Sequence, residues 1–395
     1  MARGSGPRPS HSARVFTDLS EIIEIQATIG AVSTAAQIRH TFTSSWLNAL
    51  LIAAPVSWWL AWSHASPRWL FVVAALSLVP AAGLIGAATD QLAERAGPTL
   101  GGFLNATFGN AAELIIAITA LRAHHTAVVK ASITGSIIGN LLLVFGLSCV
   151  VGGFSHGSQK FNRTSAGTAT VMLFLAVVAL VMPAVLDLVS FGSLQAHPEE
   201  IDRLSFWTSI VLLVVYIAGL VFSFRYNRDP LRAGIAPSKG KHASIAASLA
   251  VLAIGTLLTT VQAEVLIFTL APALKALGMT ELFAGVIIVA LVGNAAEHYS
   301  AISAARDNKM TLALEISVGS SAQIALMVAP VLVLLSYAFG HPMSLVFNAF
   351  EITAIGLSVL AIAIVSLDGE SNWLEGLQLL GLYVILGAAF YLIPA

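Results

Sequence analysis

The sequence predicts an all-α polytopic membrane protein of about eleven transmembrane helices, built as two inverted five-helix repeats preceded by one extra helix. Three observations carry this expectation. Of 395 residues, 57% are hydrophobic and only 10% charged, and the mean hydropathy is +0.87. A soluble domain carries about 25% charged residues, so this chain has too few solvating side chains to cover a water-exposed surface. Apolar runs long enough to cross a bilayer recur from Trp46 onward. A polar motif inside one of these runs returns 184 residues later.

Residues 1–45 read as a cytoplasmic N-terminal tail. Met1 to Arg14 is rich in Gly, Pro, Ser and Arg, a composition that buries too little apolar surface to order itself. Asp18 with Glu21 offers a capping-box-like start to a helix through about Arg39. Ile22, Ile25 and Ile29 give that helix a face for the membrane interface, while Glu21, Glu24 and Gln26 make it too polar to span; a solvated helix is the alternative. No apolar run follows the arginines before Trp46, unlike a cleaved signal peptide.

The extra helix occupies residues 46–63. The first repeat covers 68–224, with spans at about 68–88, 99–122, 126–151, 167–190 and 204–224. A basic linker follows over 225–243. The second repeat covers 244–393, with spans at about 244–271, 281–305, 311–338, 343–366 and 373–393. Lipid offers the backbone no hydrogen bonds, so runs this long close on themselves as helices rather than as the short alternating strands of a barrel.

Alternating the loops between two sides places fourteen Lys and Arg with the N-terminus and five opposite, namely Arg68, Arg122, Lys130, Arg203 and Lys275. The positive-inside rule then makes the N-terminus cytoplasmic. The formal net charge of -1 leaves no basic field for nucleic acid. Cys149 is the single cysteine; it excludes an intramolecular disulfide and reads as a structural thiol.

Ala106 to Arg122 aligns with Ala290 to Arg306 at ten identities in seventeen positions, around Gly109-Asn-Ala-Ala-Glu113 and Gly293-Asn-Ala-Ala-Glu297. Gly135-Ser136 falls over Gly319-Ser320 at the same offset. The copies sit in spans three and eight, and an odd number of crossings between them reverses direction. Inverted repeats place a transport site near the membrane midplane between the halves.

Glu113 and Glu297 each lie inside an apolar helix, where an ionised carboxylate costs about 2.5–3.5 kcal/mol. Two of them at equivalent positions can face one cavity and offer two negative charges to a hard divalent cation, with Ca²⁺ taking six to eight oxygens. Gly followed by Asn suits local unwinding that turns carbonyls inward. Asn110 and Asn294 add side-chain oxygens or hold the glutamates; Ser136, Asn140, Ser320, Ser321 and Gln323 are further ligand or hydrogen-bond candidates. With the cation gone, a low-dielectric cavity favours the neutral acids, so the site takes either Ca²⁺ or protons. No resident cofactor is implied; Ca²⁺ and H⁺ are the transported ions.

Other residues carry plainer readings. His298 is a proton relay, a ligand or a hydrogen-bonding group of the helix interface. Gly135 and Gly139 form a small-xxx-small pattern for close packing, and Ser136 and Ser320 could bond a carbonyl one turn earlier. His124 and His125 fall in an external loop, as do Glu199, Glu200 and Asp202; Glu264 and Glu351 read as structural. Asp368 to Trp373 reads as a cytoplasmic turn ending in an interfacial Trp. No His-Glu-x-x-His or Gly-x-Ser-x-Gly motif supports the rival reading as an intramembrane enzyme.

The segments Gly101 to Ile115, Gly135 to Val144, Gly293 to His298 and Gly319 to Gln323 together resemble the calcium/proton exchangers of the cation exchanger family, within the calcium/cation antiporter superfamily. The resemblance spans about residues 68–393. It implies Ca²⁺/H⁺ antiport that removes cytosolic Ca²⁺, with Glu113 and Glu297 as carriers and Asn110, Asn294, Ser136, Ser320, Gln323 and His298 lining the site. Exchange of Na⁺, K⁺ or Mn²⁺ is the alternative within the same fold. Gly139 stands where some relatives have serine, and Arg225 to Lys241 is basic where many carry an acidic segment. A bacterial plasma membrane fits the bacterial form of the family, with a vacuolar membrane as the alternative.

Overall fold

The computed structural model describes residues 35–43, 45–191, 198–226 and 244–394. Residues 1–34 of the expected N-terminal tail, with most of its helix, and nearly all of the 225–243 linker fall outside these residues. The described chain is helical almost throughout. Helix α1 covers residues 35–43, and a 3₁₀ turn at Trp46–Ile52 leads into α2 (Ala53–Trp62). The first repeat comprises α3 (Pro67–Phe108), α4 (Ala111–Arg122), α5 (Thr126–His156), α6 (Arg163–Phe191) and α7 (Pro198–Tyr226). The second comprises α8 (Ile245–Leu277), α9 (Glu281–Gly293), α10 (Ala295–Arg306), α11 (Met310–Ala338), α12 (Ala349–Val365) and α13 (Trp373–Leu392).

Seven of these helices are long and apolar enough to cross a bilayer, and the bent pair α9–α10 makes an eighth. The extra helix and α12 belong to shorter apolar stretches, so helix length by itself does not establish eleven crossings. Several boundaries differ from the sequence reading. The second span runs to Ala96 rather than 88, and α3 continues as helical backbone to Phe108. A straight helix would separate Ala93 from Gly101 by about 12 Å, yet a methyl on Gly101 would collide with the Ala93 carbonyl. The backbone therefore folds back on itself here, joining two arms through a helical bend instead of a loop.

The span expected at 343–366 becomes helical only at Ala349, where Asn348 and Glu351 form a capping box. The preceding backbone, residues 343–347, is largely buried but not helical, and side chains satisfy several of its polar groups. Ser336 Oγ accepts from Met343 N and Ser205 Oγ from Leu345 N, while Lys130 Nζ donates to the Val346 carbonyl at 2.9 Å. Glu199, Glu200 and Asp202 lie on the first turns of α7 rather than in a loop.

Central and peripheral helices separate by burial. In α5 and α11, 72% and 67% of the most apolar stretch is covered by protein, against 22% in α7 and α13. Lipid is as apolar as a leucine side chain, so packing here depends on close fit and internal polar bonds rather than on water exclusion. Gly135 shows the fit: a methyl there would run into the Val286 carbonyl of α9. Gly139 is buried but has open space at its Cβ position, so of the small-xxx-small pair it is Gly135 that makes the close approach. Cys149 is fully buried. On one end a two-stranded antiparallel clasp pairs β1 (Gln159–Lys160) with β2 (Glu370–Ser371), tying the repeats together; Trp373 beside it stacks on Phe154.

Candidate functional site

Both copies of the duplicated motif break their helix at the same residue. Asn110 has φ -99° and ψ 23°, and Asn294 has φ -92° and ψ 12°. Across the second break α9 and α10 bend by 61°. Each break leaves helix-end carbonyls on one side and helix-start N–H groups on the other. Glu113 and Glu297 then fall in the first turn of α4 and α10, where the positive helix end favours a carboxylate.

The asparagines meet the opposite repeat. Asn294 Nδ2 donates to Ser136 Oγ at 2.8 Å, and Ser320 Oγ donates to Asn110 Oδ1 at 3.4 Å. The repeat offset exchanges these two pairs, as a pseudo-twofold axis through the site requires. Neither serine bonds the carbonyl a turn earlier. Ser321 does, at 3.0 Å to the Ser317 carbonyl.

Each asparagine is also held by an amide with no counterpart in the other repeat. Asn110 Nδ2 donates to Gln323 Oε1 at 2.6 Å, with Gly139 at the equivalent of Gln323. Asn140 Nδ2 donates to Asn294 Oδ1 at 2.9 Å and to Ser320 Oγ at 3.1 Å, with Ile324 at its equivalent. Residues 139–144 and 324–328, at matching places in α5 and α11, widen into π-helical turns, a feature frequent at functional sites. His298 lines a narrow crevice with Ser136, Gly139, Asn294 and Tyr383.

Glu113 sits against the opposite break: a methyl on Gly293 would stand 3.3 Å from its Cγ. Glu297 lies near enough for its charge, when ionised, to be felt at Glu113. Glu113 is buried and Glu297 partly exposed. Both Glu113 oxygens and Asn140 Oδ1 are buried without a hydrogen-bond partner. Three unmatched acceptors thus flank the Gly293–Asn294 break, an arrangement that calls for a cation or for protons. No cluster of three His, Cys, Asp or Glu side chains suited to a metal forms among the described residues. A divalent cation here would complete its shell from amide, hydroxyl and carbonyl oxygens and from water.

All eight residues singled out from the sequence therefore gather around the two breaks. Asn140, read from the sequence as a further ligand or hydrogen-bond candidate, joins them through its bonds to Asn294 and Ser320, whereas Tyr383 and Asp90 were missed. Asp90 lines a cavity beside α10, and its charge acts on Glu297. Its signal was faint, since it follows the apolar run that ends near residue 88. Among the residues read as structural, Glu351 accepts from Thr134 Oγ1 and caps α12. Glu264 is exposed on α8. His125 meets Glu281 at 3.2 Å, and the His124 ring packs edge-on against His341.

The profile of the family described as "Sodium/calcium exchanger protein" matches residues 66–225 and 247–392. A Ca²⁺/H⁺ antiporter of Aphanothece halophytica is 41% identical over 363 residues, covering 87% of this chain and 96% of the relative. The Ca²⁺/H⁺ antiporter ChaA of Bacillus subtilis is 42% identical over 334 residues, covering 82% and 92%. The solved structure of native YfkE superposes with a TM-score of 0.77 at 40% identity, covering 88% of this chain and all of that one.

Proposed function

This chain belongs to the sodium/calcium exchanger protein family, and from that premise we propose how it works as a Ca²⁺/H⁺ antiporter of the membrane in which it is embedded. Glu113 and Glu297 alternately bind Ca²⁺ and protons at the junction of the two repeats. The observation that carries this reading is the set of unmatched acceptors at the break, Glu113 Oε1 and Oε2 with Asn140 Oδ1. Two carboxylates neutralised by one Ca²⁺ or by two protons leave no net charge in the membrane interior, and only such states reorient at low cost. Exchange is then obligatory, and at least two H⁺ move per Ca²⁺ if both acids participate.

Asn110, Asn294, Ser136, Ser320 and Gln323 hold the breaks in register and supply oxygens, and His298 lines the route of the protons. The N-terminus lies in the cytoplasm, so Ca²⁺ leaves the cytosol as protons enter. We assign the protein to a bacterial plasma membrane, with the vacuolar membrane as the alternative. Sealed vesicles containing the purified protein test the function. An imposed proton gradient is expected to drive Ca²⁺ uphill, whereas a Na⁺ or K⁺ gradient at equal pH is not. Uptake driven only by Na⁺ or K⁺ would overturn the proton coupling, and dissipative flux without uphill accumulation would indicate a channel.

A further inference from the structure

A second polar space lies beside the site. A cavity of about 230 Å³ opens between the α1 region, α3 and α10. Its polar wall consists of Thr41, Ser45, Asn48, Asp90, Tyr299 and Ser300, and among the described residues that line it none is basic. Asn48 Nδ2 donates to the Thr41 carbonyl at 3.0 Å, which fixes the α1 side of the wall. Gly83 contributes no side chain and has open space at its Cβ position. The space is roomy enough for several waters, and so for a cation that keeps part of its hydration shell.

Among the described residues on this wall Asp90 is the single carboxylate, and it is exposed. The α3 backbone is pinned to α10 one turn earlier, where a methyl on Gly86 would stand 3.5 Å from Ala296 Cβ. Asp90 thus sits one helical turn beyond a contact with the residue that precedes Glu297. Its charge acts on Glu297, and that of Glu94 acts on Asp90. A cation arriving here meets a negative field inside low-dielectric walls, the condition that focuses field lines and raises local ion concentration.

Resting on the antiport reading above, we propose that this cavity is a capture site for hydrated Ca²⁺ on the N-terminal side of the protein, with Asp90 as the carboxylate that holds the ion before it passes to Glu297. The site binds through water, with the hydroxyl and amide oxygens of the wall around it, and sets how efficiently dilute Ca²⁺ is collected.

Proton-gradient-driven Ca²⁺ uptake, measured in vesicles with the N-terminal face outward, tests it. Asp90→Asn is expected to raise half-saturating Ca²⁺ about tenfold, with the maximal rate within twofold of wild type. Asp90→Glu is expected to stay within twofold on both. Raising ionic strength should raise half-saturation in wild type more than in Asp90→Asn, because screening acts on the charge that the variant lacks. Unchanged half-saturation in Asp90→Asn overturns the proposal, and so does an Asp90→Glu variant as impaired as Asp90→Asn. Glu113→Gln and Glu297→Gln in the same vesicles separate the two levels. If both lose exchange while Asp90→Asn is normal, only the capture site fails. If both exchange normally, the underlying reading fails as well.

Discussion

Asn294 and Ser136 are joined across the repeat boundary by a 2.8 Å hydrogen bond. The pair related to them by the repeat, Asn110 and Ser320, is separated by 3.4 Å. The two halves of the site share one plan but are not equally tight. Ser136→Ala is expected to cost about 1 kcal/mol, the worth of an intramembrane hydrogen bond. Ser320→Ala should cost more, because Ser320 Oγ both donates to Asn110 and accepts from Asn140 Nδ2 at 3.1 Å, so two bonds are lost instead of one. Melting temperatures in detergent, compared side by side, check the ordering.

Repeat-related glycines should differ sharply. Gly135→Ala drives a methyl into the Val286 carbonyl, whereas Gly319 has no heavy atom near its Cβ position. Gly135→Ala is expected to destabilise by about 1–3 kcal/mol, as overpacking does, with Gly319→Ala near neutral. Equal melting temperatures for the two variants would contradict this packing.

Gly293→Ala touches the carrier itself. Its methyl would press Glu113 Cγ at 3.3 Å, so the carboxylate must shift by a few tenths of an ångström. Half-saturating Ca²⁺ is expected to rise severalfold while the fold persists, read as uptake against Ca²⁺ at fixed pH beside an unchanged melting temperature.

Much of this was legible in the residues. The duplicated Gly-Asn-x-x-Glu segments announced the two breaks, because a carboxylate in an apolar helix needs a reason and two equivalent ones need a shared reason. The amides were harder. Gln323 and Asn140 occupy positions 139/323 and 140/324 of the repeat, one residue out of step, so comparing the copies hides the fact that each supplies one amide. Asp90 was obscured because hydropathy ends the span near residue 88, while the backbone stays helical through the bend at 93–101. The buried, non-helical stretch before Ala349 was illegible for a related reason. It is apolar enough to read as helix, and two of the groups that bond its backbone, Lys130 and Ser205, are distant in sequence, with the nearer Ser336 as the third.

Lys130 tests that last point. Its ammonium donates to the Val346 carbonyl and to Ser344 Oγ, and the charges of Glu351 and Asp202 act on it. Lys130→Met is expected to cost about 2 kcal/mol, as for hydrogen bonds to a charged group. The exchange rate per folded molecule should be preserved. Loss of exchange at normal stability would instead give Lys130 a direct part in transport.

Proton and cation compete for the same two acids, which sets the sign of the pH dependence. Lowering the pH on the face from which Ca²⁺ enters adds protons to Glu113 and Glu297 and excludes the ion. Half-saturating Ca²⁺ should therefore rise as pH falls on that face, by up to a hundredfold per pH unit where two protons are displaced and less where one is. Initial rates across a pH series at fixed gradient check it. A half-saturation independent of pH would deny the competition.

The most direct measurement is Ca²⁺ uptake driven by a proton gradient in sealed vesicles, for wild type and for Glu113→Gln and Glu297→Gln at matched protein density. Either substitution leaves one ionisable acid at the break, so each is expected to abolish gradient-driven uptake while the protein remains folded. A single glutamine variant that accumulates Ca²⁺ at the wild-type rate would contradict a shared two-carboxylate site.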